Sequence, residues 1–394
     1  MNTSNPTCAI CEKPILKHND SNEHILPNAI GGRKKITGFI CKVCNNSSGD
    51  AWEADLAQQL NPLSLLFDIK RDRGTPPAQL FQTTGGDSYK LHSDGTMSLP
   101  RPTYNTHPIE NGVNIQIQAR TMKEAKQQLQ RAKKQFPQLD VEQLLSKAKE
   151  QATYCSDMLE LSPSFGGHNT GRSIVKSALA LVVEAGISHS TCEHAKGYLL
   201  EKGEEACFGY FYKRDVIANR PDGVPLHCVY VKGSPSTNQI LGYVEFFGVY
   251  RLLLCLSSNY TGAGFENSYA IDPMNGTPLS LTFDFTATPA EIRDAYDYKA
   301  IPSGAVEEAF SRVIPTGQKR SAEQEAKRVS SRAVDHAISS LLEQGETELS
   351  KDNVNDFVGK LWEQILPFVL HQNTTPRTHS RTPNDDTDDD TSEK

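Results

Sequence analysis

The sequence predicts a multidomain α+β protein, and three observations carry that expectation. Two Cys-x-x-Cys pairs stand within the first 44 residues. Helical periodicity recurs near residues 121–148 and 171–184 and again at the C-terminal end. Between them, near residues 207–285, lie short aromatic and β-branched runs separated by turn residues, as in an antiparallel sheet. A length of 394 residues suits about two units. With 37% hydrophobic and 23% charged residues, composition excludes a coiled-coil rod, a collagen and a wholly disordered chain. No apolar run reaches the roughly 18 residues a bilayer span needs, so no membrane partner is expected. The N-terminus has no apolar signal core, which points to a cytoplasmic protein.

In chain order, the N-terminal segment, to about residue 75, carries the paired cysteines. Residues 76–118, with Thr75-Pro76-Pro77, Gly85-Gly86 and Pro100-Arg101-Pro102 as punctuation, predict short strands and loops. A helical hairpin comes next. Thr121 with Glu124 has capping-box spacing, Pro137 stops the first helix, and Asp140 caps the second. Met122, Ala125, Leu129, Ala132 and Phe136 form the apolar stripe of the first. The spacing of Ile174, Val175, Ala178, Leu179 and Val182 predicts a third helix over about 171–184. Cys207–Tyr212, Leu226–Val231, Gly242–Phe247, Val249–Leu256 and Leu281–Phe285 read as strands. Residues 119–300 are thus an α+β region. Two helices, near Ala322–Leu342 and Asn353–Leu370, fill a segment over 301–372. An Asp-rich tail over 373–394 reads as disordered.

Nine cysteines, an odd number, argue for metal binding in a reducing compartment rather than a disulfide framework. Cys8, Cys11, Cys41 and Cys44 are spaced C-x2-C-x29-C-x2-C. Two such knuckles supply four thiolates for a tetrahedral structural zinc ion, with no open position for chemistry.

Between the knuckles lie Glu23-His24-Ile-Leu-Pro27 and Gly31-Gly32, and Asn45-Asn46 comes directly after the last cysteine. In this order the residues resemble the HNH endonucleases, whose ββα-metal fold is bracketed by two zinc knuckles in one subgroup. The resemblance spans residues 8 to about 50. It implies a metal-dependent hydrolysis of phosphodiester bonds, DNA being the expected substrate, with a place in bacterial defence or restriction. His24 takes the position of the general base. Glu23 and Asn45 take those of the ligands to a catalytic Mg²⁺ or Mn²⁺, with Asn46 or Asp50 as alternatives to Asn45. A neutral imidazole can deprotonate water, and a hard divalent ion accepts carboxylate and amide oxygen. Adjacent strand residues point to opposite faces, so Glu23 and His24 share a site only if the strand ends or twists there. Pro27 and Gly31-Gly32 supply the break. The asparagine that orients the base in many HNH enzymes is missing from Arg33–Cys41. Thr37, Asn28 or a backbone carbonyl are its replacements.

Arg33, Lys34, Lys35 and Lys42 surround the proposed site and are expected to contact nucleic-acid phosphates, as is the basic face over Arg120–Lys134. A protein partner or signal ligand is expected at the C-terminal region. The competing reading is a zinc module that binds nucleic acid or protein without cleaving it. Other signals have ordinary explanations: His189, Cys192 and His194 as a helix end and turn, Gly166–Arg172 as a loop before a helix, and Tyr210–Tyr212 as core packing.

The net charge of −7 does not oppose nucleic-acid binding once partitioned. From Pro383 onward the tail carries a net −5, leaving −2 for the rest of the chain. Residues 1–50 carry a net +2, from six basic and four acidic side chains.

Overall fold

The computed structural model describes residues 6–110, 112–148, 153–155, 157–161, 164–200, 206–343 and 345–374. The expected acidic tail lies outside the described residues from position 375 on. The chain divides into two compact units, Met1–Glu150 with Asp157–Ser321, and Gln151–Ser156 with Ala322–Lys394. Among the described residues no helix is long and apolar enough to cross a membrane.

The first unit begins with two short strands, β1 (Glu23–His24) and β2 (Lys35–Ile36). They pair antiparallel, with Glu23 opposite Ile36 and His24 opposite Lys35. The connection is a 3₁₀ turn over Asn28–Ile30, closed by Gly31 at φ +98°, which favours glycine. At Gly32 an added Cβ would stand 1.9 Å from the carbonyl oxygen of Leu26, so only glycine fits. The second knuckle leads into α1 (Lys42–Ser48), a π turn (Gly49–Glu53), α2 (Ala54–Gln59) and α3 (Asn61–Leu66).

Strands β3 (Gln79–Gln82), β4 (Ser88–Leu91) and β5 (Met97–Ser98) form a small sheet. Strands β6 (Thr103–Ile109) and β7 (Gly112–Gln118) form a hairpin. The helical hairpin is formed by α4 (Met122–Gln135) and α5 (Val141–Ser146). Both caps are formed: the Glu124 amide donates to Thr121 Oγ1 at 3.2 Å, and the Gln143 amide to Asp140 Oδ1 at 3.0 Å.

Helix α6 (His168–Glu184) starts three residues before the expected Gly171, and α7 (Glu193–Leu199) comes after it. Next are β8 (Phe208–Tyr210), β9 (His227–Ser234), β10 (Gln239–Phe246), β11 (Tyr250–Ser257), β12 (Phe265–Asp272) and β13 (Thr277–Pro278). They form one antiparallel sheet in the order β13-β12-β9-β10-β11-β8. Alternation along the strands buries both faces. Val229, Val231, Val244, Leu252 and Leu254 face a core shared with α6 and with Ile25, Leu26, Ile30, Phe39 and Phe67. Cys228, Tyr230, Tyr243 and Leu253 face a second core with Phe285 and with Ile292 of α8 (Pro289–Tyr296). Zinc-knuckle segment, α6 and sheet therefore share one core.

Three expectations need correction. Strand β12 is not among the expected strands, because Glu266, Asn267 and Ser268 interrupt its apolar character. Leu281–Phe285 is not a strand: Phe283 makes a single bridge to Ile217, and its ring stacks on Tyr230 at 4.6 Å. Its aromatic side chains cover a face of the sheet instead of extending it. The long helix α9 (Ala305–Glu343) begins well before Ala322 and continues through Pro315. Gly317 permits close approach to Leu66, whose Cγ would lie 2.5 Å from an added Cβ.

In the second unit α10 (Val354–Thr374) is the last helix. There Tyr154 stacks on His371 at 4.3 Å and donates its hydroxyl to Glu325 at 2.9 Å.

Candidate active site

The four knuckle sulfurs all lie within 4.8 Å of one another, with Cys11 and Cys41 Sγ 3.8 Å apart. A tetrahedral zinc ion with bonds of about 2.3 Å requires sulfur–sulfur edges of about 3.8 Å. The amide of Cys41 donates to Cys8 Sγ at 3.3 Å. Four cysteine sulfurs at this spacing fit zinc and close its shell. The first knuckle is held to the second by the Ala9 amide, which donates to the Phe39 carbonyl at 2.9 Å. Bound metal would thus fix the start of α1 beside β1 and β2.

Glu23 is 3% exposed and its carboxylate points inward. Its Oε1 accepts from Lys176 Nζ of α6 at 2.5 Å. Lys176 also donates to Glu53, and its Nζ lies 3.4 Å from Ser48 Oγ. Glu53 reaches this point because of the π turn. A π turn takes in one residue more than an α turn. Glu53, eight positions after Asn45, thereby returns to the helix face shared by Asn45 and Ser48. Burial, reinforced by Glu53 and opposed by Lys176, pushes the Glu23 carboxyl up to about 7. Burial pulls the Lys176 ammonium down, but the two carboxylates outweigh it and hold its pKa above the ordinary lysine value. Both shifts keep protons in the cluster.

His24 points the other way, as strand alternation requires. Its Nε2 lies 3.4 Å from Asp72 Oδ2, and the imidazole is 21% exposed. Burial and Lys35 lower its pKa, against Asp72 and Glu53, which raise it. Glu53 thus acts electrostatically on both Glu23 and His24. Asp72 also pairs with Arg33 and, at 3.5 Å, with Lys35. Desolvation, the largest single influence, raises its pKa, but the hydrogen bonds from Arg33 and His24 and the charges of Arg33 and Lys35 together outweigh it and hold the carboxyl below the usual range. Asn28, one of the expected orienting groups, acts at one remove: its Oδ1 accepts from the Asp72 amide at 3.1 Å. Thr37, the other side chain expected in that role, is exposed.

Asn45 is half-buried on α1, one turn before Ser48, whereas its alternatives Asn46 and Asp50 are exposed. The four expected phosphate-binding cations all have internal partners. Arg33 and Lys35 meet Asp72, Lys34 meets Glu184 at 2.7 Å, and Lys42 donates to the His18 carbonyl at 2.8 Å. On the helical hairpin Arg120 pairs with Glu124, and Lys126 with Glu142 at 2.8 Å.

Oxygen donors from Glu23, Glu53 and Ser48 would suit a hard divalent ion. Their common point is filled by the Lys176 ammonium, so in this arrangement they do not fit one. Lys176, Glu53 and Asp72 are the site residues that the sequence does not identify in these roles. A lysine inside the apolar run Ile174–Val182 is the available signal for the first.

Elsewhere, His189 Nε2 lies 3.1 Å from the Thr7 carbonyl and His194 Nε2 lies 2.8 Å from Ser258 Oγ. Among the described residues the four knuckle cysteines are the one cluster placed to hold a metal. At the start of α6 the Thr170 amide donates to Asp55 at 3.1 Å, so a carboxylate of the chain itself occupies that position. Phe211 and Tyr212 are buried in the core.

A second anchor joins the loop after β1 to the sheet. His227 is fully buried, accepts from the Phe247 amide at Nδ1 (2.9 Å), and so presents Nε2–H to the Ile30 carbonyl at 2.8 Å. Burial lowers its pKa to about 3. The Tyr269 hydroxyl accepts from the amides of Arg33 and Lys34 at 3.0 and 3.1 Å.

No curated protein and no solved structure matches the chain. Residues 8–61 match the family model of the HNH endonucleases, from the first knuckle cysteine to the start of α3. The N-terminal part of this α+β chain is therefore an HNH domain with a four-cysteine metal site.

Proposed function

We propose that the protein is an endonuclease whose HNH domain hydrolyses phosphodiester bonds, with DNA as substrate and His24 as general base. The observation that carries the proposal is the state of His24. Its imidazole is partly exposed, its pKa is lowered, and Asp72 contacts one ring nitrogen. A neutral, positioned imidazole can take a proton from attacking water. Arg33 and Lys35 stand beside it, where a phosphate backbone would need cations. Asn45 remains the proposed third motif residue, and Glu23 the acidic one. Lys176 occupies the inward oxygen of Glu23, which leaves no place there for a divalent ion.

Recognition of a substrate, protein partner or signal is assigned to the rest of the chain, about residues 76–372. The matched segment ends at residue 61, and the six-stranded sheet organises much of the remainder. Such a division suits a nuclease of bacterial defence or restriction.

Plasmid nicking by zinc-loaded wild type and His24→Ala, with and without Mg²⁺ or Mn²⁺, tests the proposal. Nicking by wild type that is abolished in the variant is expected; equal nicking would remove His24 as the base. One observation favours a second reading, a non-catalytic zinc module: the Glu23 carboxylate is tied to Lys176. Nucleic-acid binding without nicking under any divalent ion would support that reading.

A further inference from the structure

We propose that Lys176 is the resident cation of the HNH site, holding Glu23 and Glu53 where a divalent metal would otherwise be held. This rests on reading Glu23 as the acidic residue of the HNH motif. Three features point to it. The ammonium has three N–H donors, and three oxygens face it, from Glu23, Glu53 and Ser48. Its hydrogen-bonding capacity is thus filled within the site. The side chain of Lys176 is 1% exposed. Every residue of α6 from Thr170 to Val182 is buried, so the helix cannot withdraw without uncovering the core it shares with the sheet. Finally, Lys176 lies outside the segment that matches the HNH family, residues 8–61. The cation comes from the part of the chain that this domain packs against.

An ion pair alone would also join α6 to β1. The proposal goes further: a divalent ion cannot share the Glu23–Glu53 position with the ammonium, since like charges a few ångströms apart in a buried site repel strongly. Removing the ammonium should therefore create a metal site that wild type lacks.

The test is a Mn²⁺ titration of full-length, zinc-loaded protein, with free Mn²⁺ read by electron paramagnetic resonance. Wild type and Glu23→Gln should give the same isotherm. Lys176→Met should gain a site that binds Mn²⁺ at least about tenfold more tightly than any in wild type, and Lys176→Met with Glu23→Gln should lose it. The inference is overturned if wild type binds Mn²⁺ in a way that Glu23→Gln weakens about tenfold or more. It is equally overturned if folded Lys176→Met gains no site. Should Lys176→Met fail to fold, wild type against Glu23→Gln decides alone, because Lys176 there keeps Glu53. Binding is read separately from cleavage. A protein that nicks DNA but binds Mn²⁺ through Glu23 sinks only this inference. Absence of nicking in every variant sinks the nuclease reading and leaves the Mn²⁺ result standing.

Discussion

Glu23 and Lys176, 153 positions apart in sequence, meet at 2.5 Å in a site almost closed to solvent. The pair makes stability depend on pH in a direction opposite to that of an ordinary salt-bridged carboxylate. Glu23 has its pKa raised from 4.5 to about 7, chiefly by burial. Between those values the folded protein holds a proton that the unfolded chain releases. The contribution of Glu23 is therefore fully present below about pH 4.5 and is lost as pH rises through about 7. His227, with its pKa lowered to about 3, works oppositely over part of this window. The difference between wild type and Glu23→Gln isolates the carboxyl. In urea denaturation, wild type should lose stability relative to Glu23→Gln as pH rises from about 5 to 8. A difference that stays flat across that range would contradict the assignment.

His24 should set the acid limb of any cleavage profile. Burial and Lys35 lower its pKa below the usual 6.5, so the base stays neutral into mildly acidic solution. Single-turnover cleavage should therefore hold its rate through the pH range in which an ordinary imidazole titrates and fall only at lower pH. Asp72 raises the His24 pKa through its hydrogen bond and charge. Asp72→Asn should shift the acid limb further down in pH and slow cleavage through loss of orientation. His24→Ala should cost roughly a hundred- to ten-thousandfold in rate. An acid limb that does not move in Asp72→Asn would remove Asp72 from the orienting role.

The parts of this site that are legible in the sequence are those encoded locally. Cys8–Cys11 and Cys41–Cys44 each form within one turn, and two knuckles in one domain have few ways to meet other than around an ion. The caps at Thr121 and Asp140 are equally local, each joining residues three apart. What escapes a sequence reading depends on distant or irregular geometry. Asp72 meets His24 across 48 positions, and Lys176 meets Glu23 across the packing of α6. Glu53 lies eight residues from Asn45, a spacing that misses the shared face of a regular helix and reaches it through a π turn. Polar residues over 266–268 hide β12, and Pro315 hides the first part of α9, because tertiary packing overrides local propensity.

Loss of one knuckle cysteine should unfold the surroundings of the site without acting on His24 directly. The four sulfurs lie within 4.8 Å, and three are buried. Cys44→Ser removes a ligand from a site whose apparent metal affinity contributes on the order of 10 kcal/mol in small zinc domains. Wild type should carry one zinc ion per chain, and the variant should lose most of it. Limited proteolysis should then cut within residues 8–61 first. Full zinc content and an unchanged proteolytic pattern in Cys44→Ser would show that this cysteine is not a ligand.

The buried network around Glu245 is a separate test of what holds the sheet together. Glu245 is fully buried on β10, accepts from Arg220 at 2.8 and 2.9 Å, and accepts from the Tyr243 hydroxyl at 2.7 Å. Arg251 approaches it at 3.3 Å. Glu245→Ala leaves two largely buried guanidinium groups without this partner, which should cost about 3–5 kcal/mol in urea denaturation. Glu245→Gln keeps the shape and one acceptor, and should lose less. Equal losses in the two variants would show that packing, not charge, is what Glu245 supplies.

Nucleic-acid affinity should depend on cations that the protein already shares internally. Arg33 and Lys35 both meet Asp72, and each must exchange that carboxylate for a phosphate. Lys42 is exposed and, among the described residues, is held only by the His18 carbonyl, so it should engage more readily. Fluorescence anisotropy with duplex DNA over a salt series can separate these effects. Lys42→Ala and Lys35→Ala should each lower affinity and reduce the salt slope by about 0.9 for each phosphate no longer neutralised. Asp72→Asn removes the competing carboxylate and should raise affinity while slowing cleavage, a combination that general loss of structure would not produce. An unchanged slope in Lys35→Ala and Lys42→Ala together would move the DNA path away from this face of the HNH domain.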